Sequence, residues 1–152
     1  MSIRVITVGK KHEDWVAGGI ERYQKRLKQP FAIEWVLLPH SAREGVGARE
    51  EESQRILSRL SSSDYVILLD ETGRNIDSPS VATLLNYQFN SSKQIVIIIG
   101  GAYGVDFSVH IRADFTWSLS HLVFPHQLVR LILTEQLYRA QEITAGGPYH
   151  HV

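Results

Sequence analysis

Ile95-Val96-Ile97-Ile98-Ile99-Gly100-Gly101-Ala102-Tyr103-Gly104 is the stretch that decides the fold. Five consecutive β-branched residues read as a strand buried on both faces, because a half-solvated strand would alternate apolar and polar positions. The run breaks at once into glycines, which permit a tight turn and leave little side chain between the backbone and a ligand. Such a strand belongs in a parallel sheet covered by helices on both faces.

The flanking sequence supplies the parts. Ile3 to Val8 is a short apolar strand ending at Gly9. Asp14 can cap a helix over residues 14–27, with Trp15, Ile20, Tyr23 and Leu27 near helical spacing. Residues 31–38 read as a second strand between Pro30 and Pro39. Residues 40–47, with two glycines, read as a flexible loop, and 48–60 as a charged helix burying Ile56, Leu57 and Leu60. Residues 65–69 form a third strand. Ser78-Pro79 opens a helix to about Phe89, serine capping and proline in the first turn. A fifth strand falls near residues 115–118 and a last helix over 125–144. The expectation is α/β: a single-domain parallel sheet, residues 1–152, with helices on both faces.

At 152 residues the chain can bury roughly 68–70% of its unfolded surface without a staple. It has no cysteine, which excludes disulfides, zinc ribbons and thiol chemistry and is compatible with a reducing cytoplasm. No apolar run approaches the ~20 residues that cross a bilayer, and Met1-Ser2-Ile3-Arg4 is no signal peptide. A soluble, cytoplasmic protein without a membrane partner is expected. Sixteen basic and sixteen acidic residues cancel. That speaks against gripping nucleic acid by charge alone, although Lys10, Lys11, Arg22, Lys25, Arg26 and Lys28 bias the first 28 residues positive.

Ligands of open α/β sheets sit beyond the carboxyl ends of the strands. Residues 69–73, 100–104 and 119–125 are the loops in that position. The Gly100 loop is not the dinucleotide fingerprint, which requires a further glycine pattern after the first strand. Asp70 and Glu71 can bind ribose hydroxyls or act as a base, but acidic residues in turns more often cap or face solvent. No histidine has metal-ligand spacing, so no metal site is expected. No serine sits in a nucleophile elbow, which speaks against hydrolase chemistry.

The last helix is unusual. Leu128, Val129, Leu131, Ile132, Leu133, Leu137, Tyr138, Ala140 and Ile143 leave almost no polar face. A helix apolar all round is buried all round, so one face is expected on the sheet and residues 128–138 in a homodimer interface. Arg130, Glu135 and Arg139 then need partners or a polar ligand.

Taken together, these residues resemble, from end to end, the SPOUT-class RNA methyltransferases, most closely the small bacterial RlmH family. The likeness rests on Val8-Gly9-Lys10, on Leu68-Leu69-Asp70 with Gly73, on Ile99-Gly100-Gly101 with Gly104, and on Ser118-Leu119-Ser120. Phe124-Pro125-His126 with Arg130, Glu135-Gln136-Leu137-Tyr138-Arg139-Ala140 and Pro148-Tyr149-His150 complete it. Each piece is common; their order over the whole chain is specific.

The resemblance implies a C-terminal trefoil knot, which sequence reasoning alone would rank very low. It implies S-adenosylmethionine as methyl donor, held by Leu69, Gly100, Gly101, Ser120, His121, Leu122, Val123, Phe124 and Pro125. The implied reaction is methylation of ring nitrogen N3 of a pseudouridine in 23S rRNA. Two departures stand out: His151 follows Tyr149-His150 where relatives usually place a basic residue, and His121 occupies a variable place in the cofactor loop.

Methyl transfer requires an in-line nucleophile held in a dry pocket, and the N3 proton must leave. A group titrating near neutrality suits that task, favouring His126 or His150 over Asp70. Tyr149 and His150 are expected to place the base, from the partner subunit in a dimer, while Arg130 and Arg139 hold phosphate or orient the tail. Charge neutrality points to recognition by shape on the assembled ribosome. The competing readings are a small nucleotide- or flavin-binding α/β protein and a non-catalytic ribosome-binding dimer.

Overall fold

A computed structural model describes residues 1–9 and 11–149. Lys10, the proposed catalytic His150, and residues 151–152 lie outside the described residues. Along the chain run β1 (Ile3–Val8), α1 (Asp14–Gln24), β2 (Ile33–Leu38), α2 (Gly45–Leu57) and β3 (Tyr65–Asn75). They are followed by α3 (Ser78–Asn90), β4 (Ile95–Ile99), α4 (Phe107–Arg112), β5 (Phe115–Ser118) and α5 (His126–Ala145).

The five strands form one parallel sheet in the order β2-β1-β4-β3-β5. The all-apolar β4 lies at its centre, every residue buried, with Ile98 registered between Ile6 and Leu68. Because side chains alternate across a strand, the sheet feeds two cores. Val5, Ile67, Ile97 and Ile99 pack with Leu85 of α3 and with Leu133, Leu137 and Ala140 of α5. Ile6, Val8, Leu68, Val96 and Ile98 pack with Ile56 of α2 and Val109 of α4. Helices therefore cover both faces, as the apolar run demands. Among the described residues no helix is long and apolar enough to cross a membrane.

Several boundaries differ from expectation for local reasons. Asp77, not Ser78, caps α3, its side chain accepting from the Ser80 amide at 2.9 Å. Phe31 and Ala32 fall in a turn closed by the Lys28 carbonyl, and Phe31 packs edge-on against Phe89 instead of joining β2. Residues 45–47 are the first turn of α2, not a flexible loop. Helix α4 has no counterpart in the pattern reading. It is six residues long and starts because Asp106 accepts from the amides of Ser108 and Val109. Strand β3 resumes after a shift in register between Leu69 and Arg74, pairing Arg74 and Asn75 with β5.

Helix α5 also requires correction. It is not apolar all round: Arg130, Thr134, Glu135 and Arg139 interrupt it, and only Arg130, Leu133, Thr134, Leu137, Tyr138 and Ala140 are buried. Much of the apolar excess is covered within the chain by α1 and α3. At Gly19 of α1 a Cβ would stand 2.8 Å from Leu131 Cδ1, so the two helices approach closely and a side chain there would push the leucine aside. Leu128 and Ile132 stay half-exposed.

Candidate functional site

The carboxyl ends of β3, β4 and β5 open into a cleft. Leu69, Ile99 and Trp117 form its floor, Gly100, Gly101, Gly104 and Val105 one wall, and Leu119, Ser120, Leu122, Val123 and Phe124 the other. His126 and Val129 of α5 close one end, and Asp70 and Glu71 also face the space. Seven of the expected cofactor residues thus meet at one place: Leu69, Gly100, Gly101, Ser120, Leu122, Val123 and Phe124. His121 and Pro125 do not line it; Pro125 is the residue that leads into α5. Trp117, Val105 and Val129 line the cleft without being among the expected cofactor residues.

The 118–122 loop is held by bonds between side chains and backbone. Ser118 Oγ donates to the Ser120 carbonyl at 2.8 Å, Leu122 N to Ser120 Oγ at 3.0 Å, and Asn75 Nδ2 to the Ser118 carbonyl at 2.9 Å. Leu122 and Val123 remain 68% and 80% exposed, so this wall is apolar and open. Asp70 is held in a turn by the amide and hydroxyl of Thr72, with His110 Nε2 at 3.8 Å from its other oxygen.

Gly101 serves the protein's own packing as well as any ligand. A Cβ there would meet Glu52 Oε1 at 2.8 Å and Val8 Cγ1 at 3.2 Å, on the side of α2 and β1. Gly101→Val should therefore cost about 1–3 kcal/mol of stability, measurable as a lower urea midpoint. A variant as stable as wild type would show that the loop moves aside freely.

Behind the cleft lies a polar cluster. Arg130 is fully buried, and its guanidinium donates to the carbonyls of Val8 at 3.0 Å, Gly9 at 3.4 Å and Lys11 at 3.1 Å. Its Nη1 also lies 3.2 Å from His12 Nδ1. Among the described residues none of these bonds is to a carboxylate, so backbone dipoles solvate the charge. Burial holds the group below the usual arginine range, Glu13 opposing. Arg130 is thus engaged inside the monomer, tying the β1–α1 loop to α5, and is not presented to a phosphate. His126 is half-buried, with Nδ1 enclosed and, among the described residues, unpartnered. Burial, then Arg130 and His40, hold its imidazole below the usual histidine range, while Glu13 and Glu52 pull the other way.

The tail is anchored elsewhere. Tyr149 donates its hydroxyl to Glu135 Oε2 at 2.8 Å, packs edge-on to Tyr138 at 4.8 Å between ring centres, and lies under the Arg139 guanidinium at 4.9 Å. Arg139 is itself paired with Glu135 at 2.7 Å. Burial and the bond to Glu135 push the Tyr149 phenol up, so it stays protonated and donating. Neither Tyr149 nor Arg139 lines the cleft of its own chain.

A parallel sheet with a glycine-walled cleft at its carboxyl edge is the arrangement in which α/β proteins hold small-molecule ligands. The sequence model of the family described as predicted SPOUT methyltransferase matches residues 1–150, and the chain belongs to that family; it is a methyltransferase. It is 39% identical over 155 residues to a protein of Francisella tularensis subsp. novicida named ribosomal RNA large subunit methyltransferase H, covering 99% of each chain. A Geotalea daltonii protein of the same name is 40% identical over 157 residues, covering 99% of this chain and all of that one. Among solved structures, a probable methylase family protein from Haemophilus influenzae Rd KW20 superposes with a TM-score of 0.56 over 99% of this chain and 70% of that one. At 15% identity that likeness speaks for the fold alone.

Proposed function

We propose that this chain is an S-adenosylmethionine-dependent methyltransferase of large-subunit ribosomal RNA, methylating N3 of a pseudouridine in 23S rRNA. The observation that carries the reading is the cleft between the Gly100 loop and the 119–125 loop, in a chain that matches rRNA methyltransferases along its full length. Its composition suits the donor: apolar side chains and free backbone for an adenine ring, carboxylates of Asp70 and Glu71 able to accept from ribose hydroxyls, and space beside His126. Bound there, S-adenosylmethionine supplies an electrophilic methyl group. Leu69, Gly100, Gly101, Ser120, Leu122, Val123 and Phe124 would hold it. The assignments of His121 and Pro125 rest on the resemblance only.

The enzyme works as a cytoplasmic homodimer on the assembled ribosome, its 152 residues forming one domain with the C-terminal segment threaded as a trefoil knot. Arg22, Lys25, Arg26 and Lys28 are exposed at and after the end of α1, next to the tail anchor through the Tyr23–Tyr138 contact at 5.7 Å. They offer phosphate contacts for a chain without net charge. Family membership favours this reading over the nucleotide- or flavin-binding one, and over a module without chemistry.

Leu122 is the clean probe, because an exposed cleft residue can change at a stability cost within ~0.5 kcal/mol. Leu122→Arg places bulk and positive charge against a sulfonium ligand. Calorimetry should show affinity for S-adenosylmethionine at least ~10-fold weaker, with methylation of ribosomes from a strain lacking the enzyme reduced in parallel. Unchanged affinity would move the cofactor elsewhere.

A further inference from the structure

Glu52 is the least expected buried residue in the chain. It sits in the charged run Arg49-Glu50-Glu51-Glu52 of α2, yet is only 3% exposed. Its Oε2 accepts from the Ser41 amide at 2.9 Å and faces His40 Nδ1 at 3.9 Å. Its Oε1 is enclosed and, among the described residues, has no hydrogen-bond partner. That oxygen lies against Gly101 and Val8, behind the wall of the cleft. Within the same cluster His126 Nδ1 is also enclosed and also unpartnered. One is an acceptor and the other, in the neutral tautomer, a donor. A buried polar atom without a partner costs stability, and two complementary ones beside a ligand cleft describe a bond that forms in another state of the site.

We propose that Glu52 is a positioning residue for His126: when ligands fill the cleft, Glu52 Oε1 accepts the Nδ1 proton of His126, directly or through one water, and fixes Nε2 as the atom that takes a proton from the substrate. Catalytic hydrogen bonds are commonly long in unliganded enzymes and tighten in the complex. The inference rests on the methyltransferase reading above. In that reaction the N3–H bond of the uracil-type ring breaks and its proton passes to His126 Nε2. The freed electron pair on N3 forms the new bond to the methyl carbon, and the sulfonium S–CH3 bond breaks to leave a neutral thioether. The carboxylate stabilises the imidazolium produced, which then loses its proton to water.

Five elements around His126 contribute charge. Arg130 lies on α5 itself, His40 on the segment after β2, and Glu52 on α2. Glu13 precedes α1, and Asp70 and Glu71 face the cleft from β3. Arg130 and His40 favour the neutral imidazole; Glu13 and Glu52 favour the cation. Neutrality near pH 7 is what a proton acceptor requires, and Glu52 keeps the ring basic enough to use it.

The test is Glu52→Gln, whose amide oxygen can still accept from the Ser41 amide. In the ligand-free protein, proton NMR should find His126 titrating at lower pH than in wild type. With ribosomes, kcat at neutral pH should fall roughly 10- to 100-fold. The acid limb of the pH–rate profile, where protonation of His126 stops catalysis, should move to lower pH. Glu52→Asp retains the charge but withdraws it, so its limb should stay near the wild-type position while kcat falls. If wild type methylates ribosomes but both variants keep its rate and its limb, Glu52 has no such role. If wild type itself transfers no methyl group to ribosomes, the reading of the substrate fails instead, while an unchanged His126 titration in Glu52→Gln would still overturn the pairing on its own.

Discussion

A chain ending at Pro148 should still bind S-adenosylmethionine, yet methylate ribosomes at least ~100-fold more slowly than the full-length protein, because losing substrate placement costs about that much. The first half follows from geometry, since Tyr149 lies outside the cleft of its own chain. Its anchor on Glu135, Tyr138 and Arg139 holds Tyr149 at a fixed point on α5. The truncation is not silent for the fold: an aromatic pair of ~0.5–1.5 kcal/mol and a cation–π contact of ~0.5–1 kcal/mol are lost. A drop of about 1–2 kcal/mol in unfolding free energy is therefore expected. An aromatic and an imidazole at the chain end suit stacking on an unpaired base, and in a dimer they can serve the partner's cleft. Mixing the truncated chain with Leu122→Arg chains separates the possibilities. Random pairing leaves one working site in each mixed dimer, restoring roughly a quarter of wild-type activity. No restoration, together with a monomer by light scattering, would remove the shared site.

What the sequence showed and hid follows from the range of each signal. Strand β4 and the glycines after it were legible because five β-branched residues and a turn are local features. The cleft followed from the rule that strand ends carry ligands. Glu52 was hidden by its neighbours: a run of charges reads as a solvated face, although Ala48, Glu52 and Ile56 share an i, i+4 stripe that is buried. That stripe is the signal that could have found it. Helix α4 was too short for periodicity, and only the Asp106 cap announced it. The environment of Arg130 was beyond any local reading, because its acceptors lie more than a hundred residues upstream.

That distance makes Arg130 the residue whose loss should hurt the fold most. Three carbonyls, those of Val8, Gly9 and Lys11, converge on one guanidinium. Gly9 adopts a φ of +117°, and a Cβ there would stand 2.8 Å from Arg130 Nη2 and 3.3 Å from His40 Nε2. The loop is folded around the charge, with glycine where the approach is closest. Methionine at position 130 matches the length of the stem and donates nothing. Each stranded acceptor costs about 1–3 kcal/mol, partly recovered by water, so Arg130→Met should lose about 3–5 kcal/mol of unfolding free energy. Lysine should restore only part of this, since one ammonium cannot reproduce a planar fork. Urea unfolding measures both. The same substitution removes the cation that depresses His126, so in whatever folds the imidazole should titrate closer to the usual histidine range. An Arg130→Met protein within about 1 kcal/mol of wild type would mean that water replaces the guanidinium without loss. The charge at position 130 would then be held for the chemistry of His126 and not for the loop.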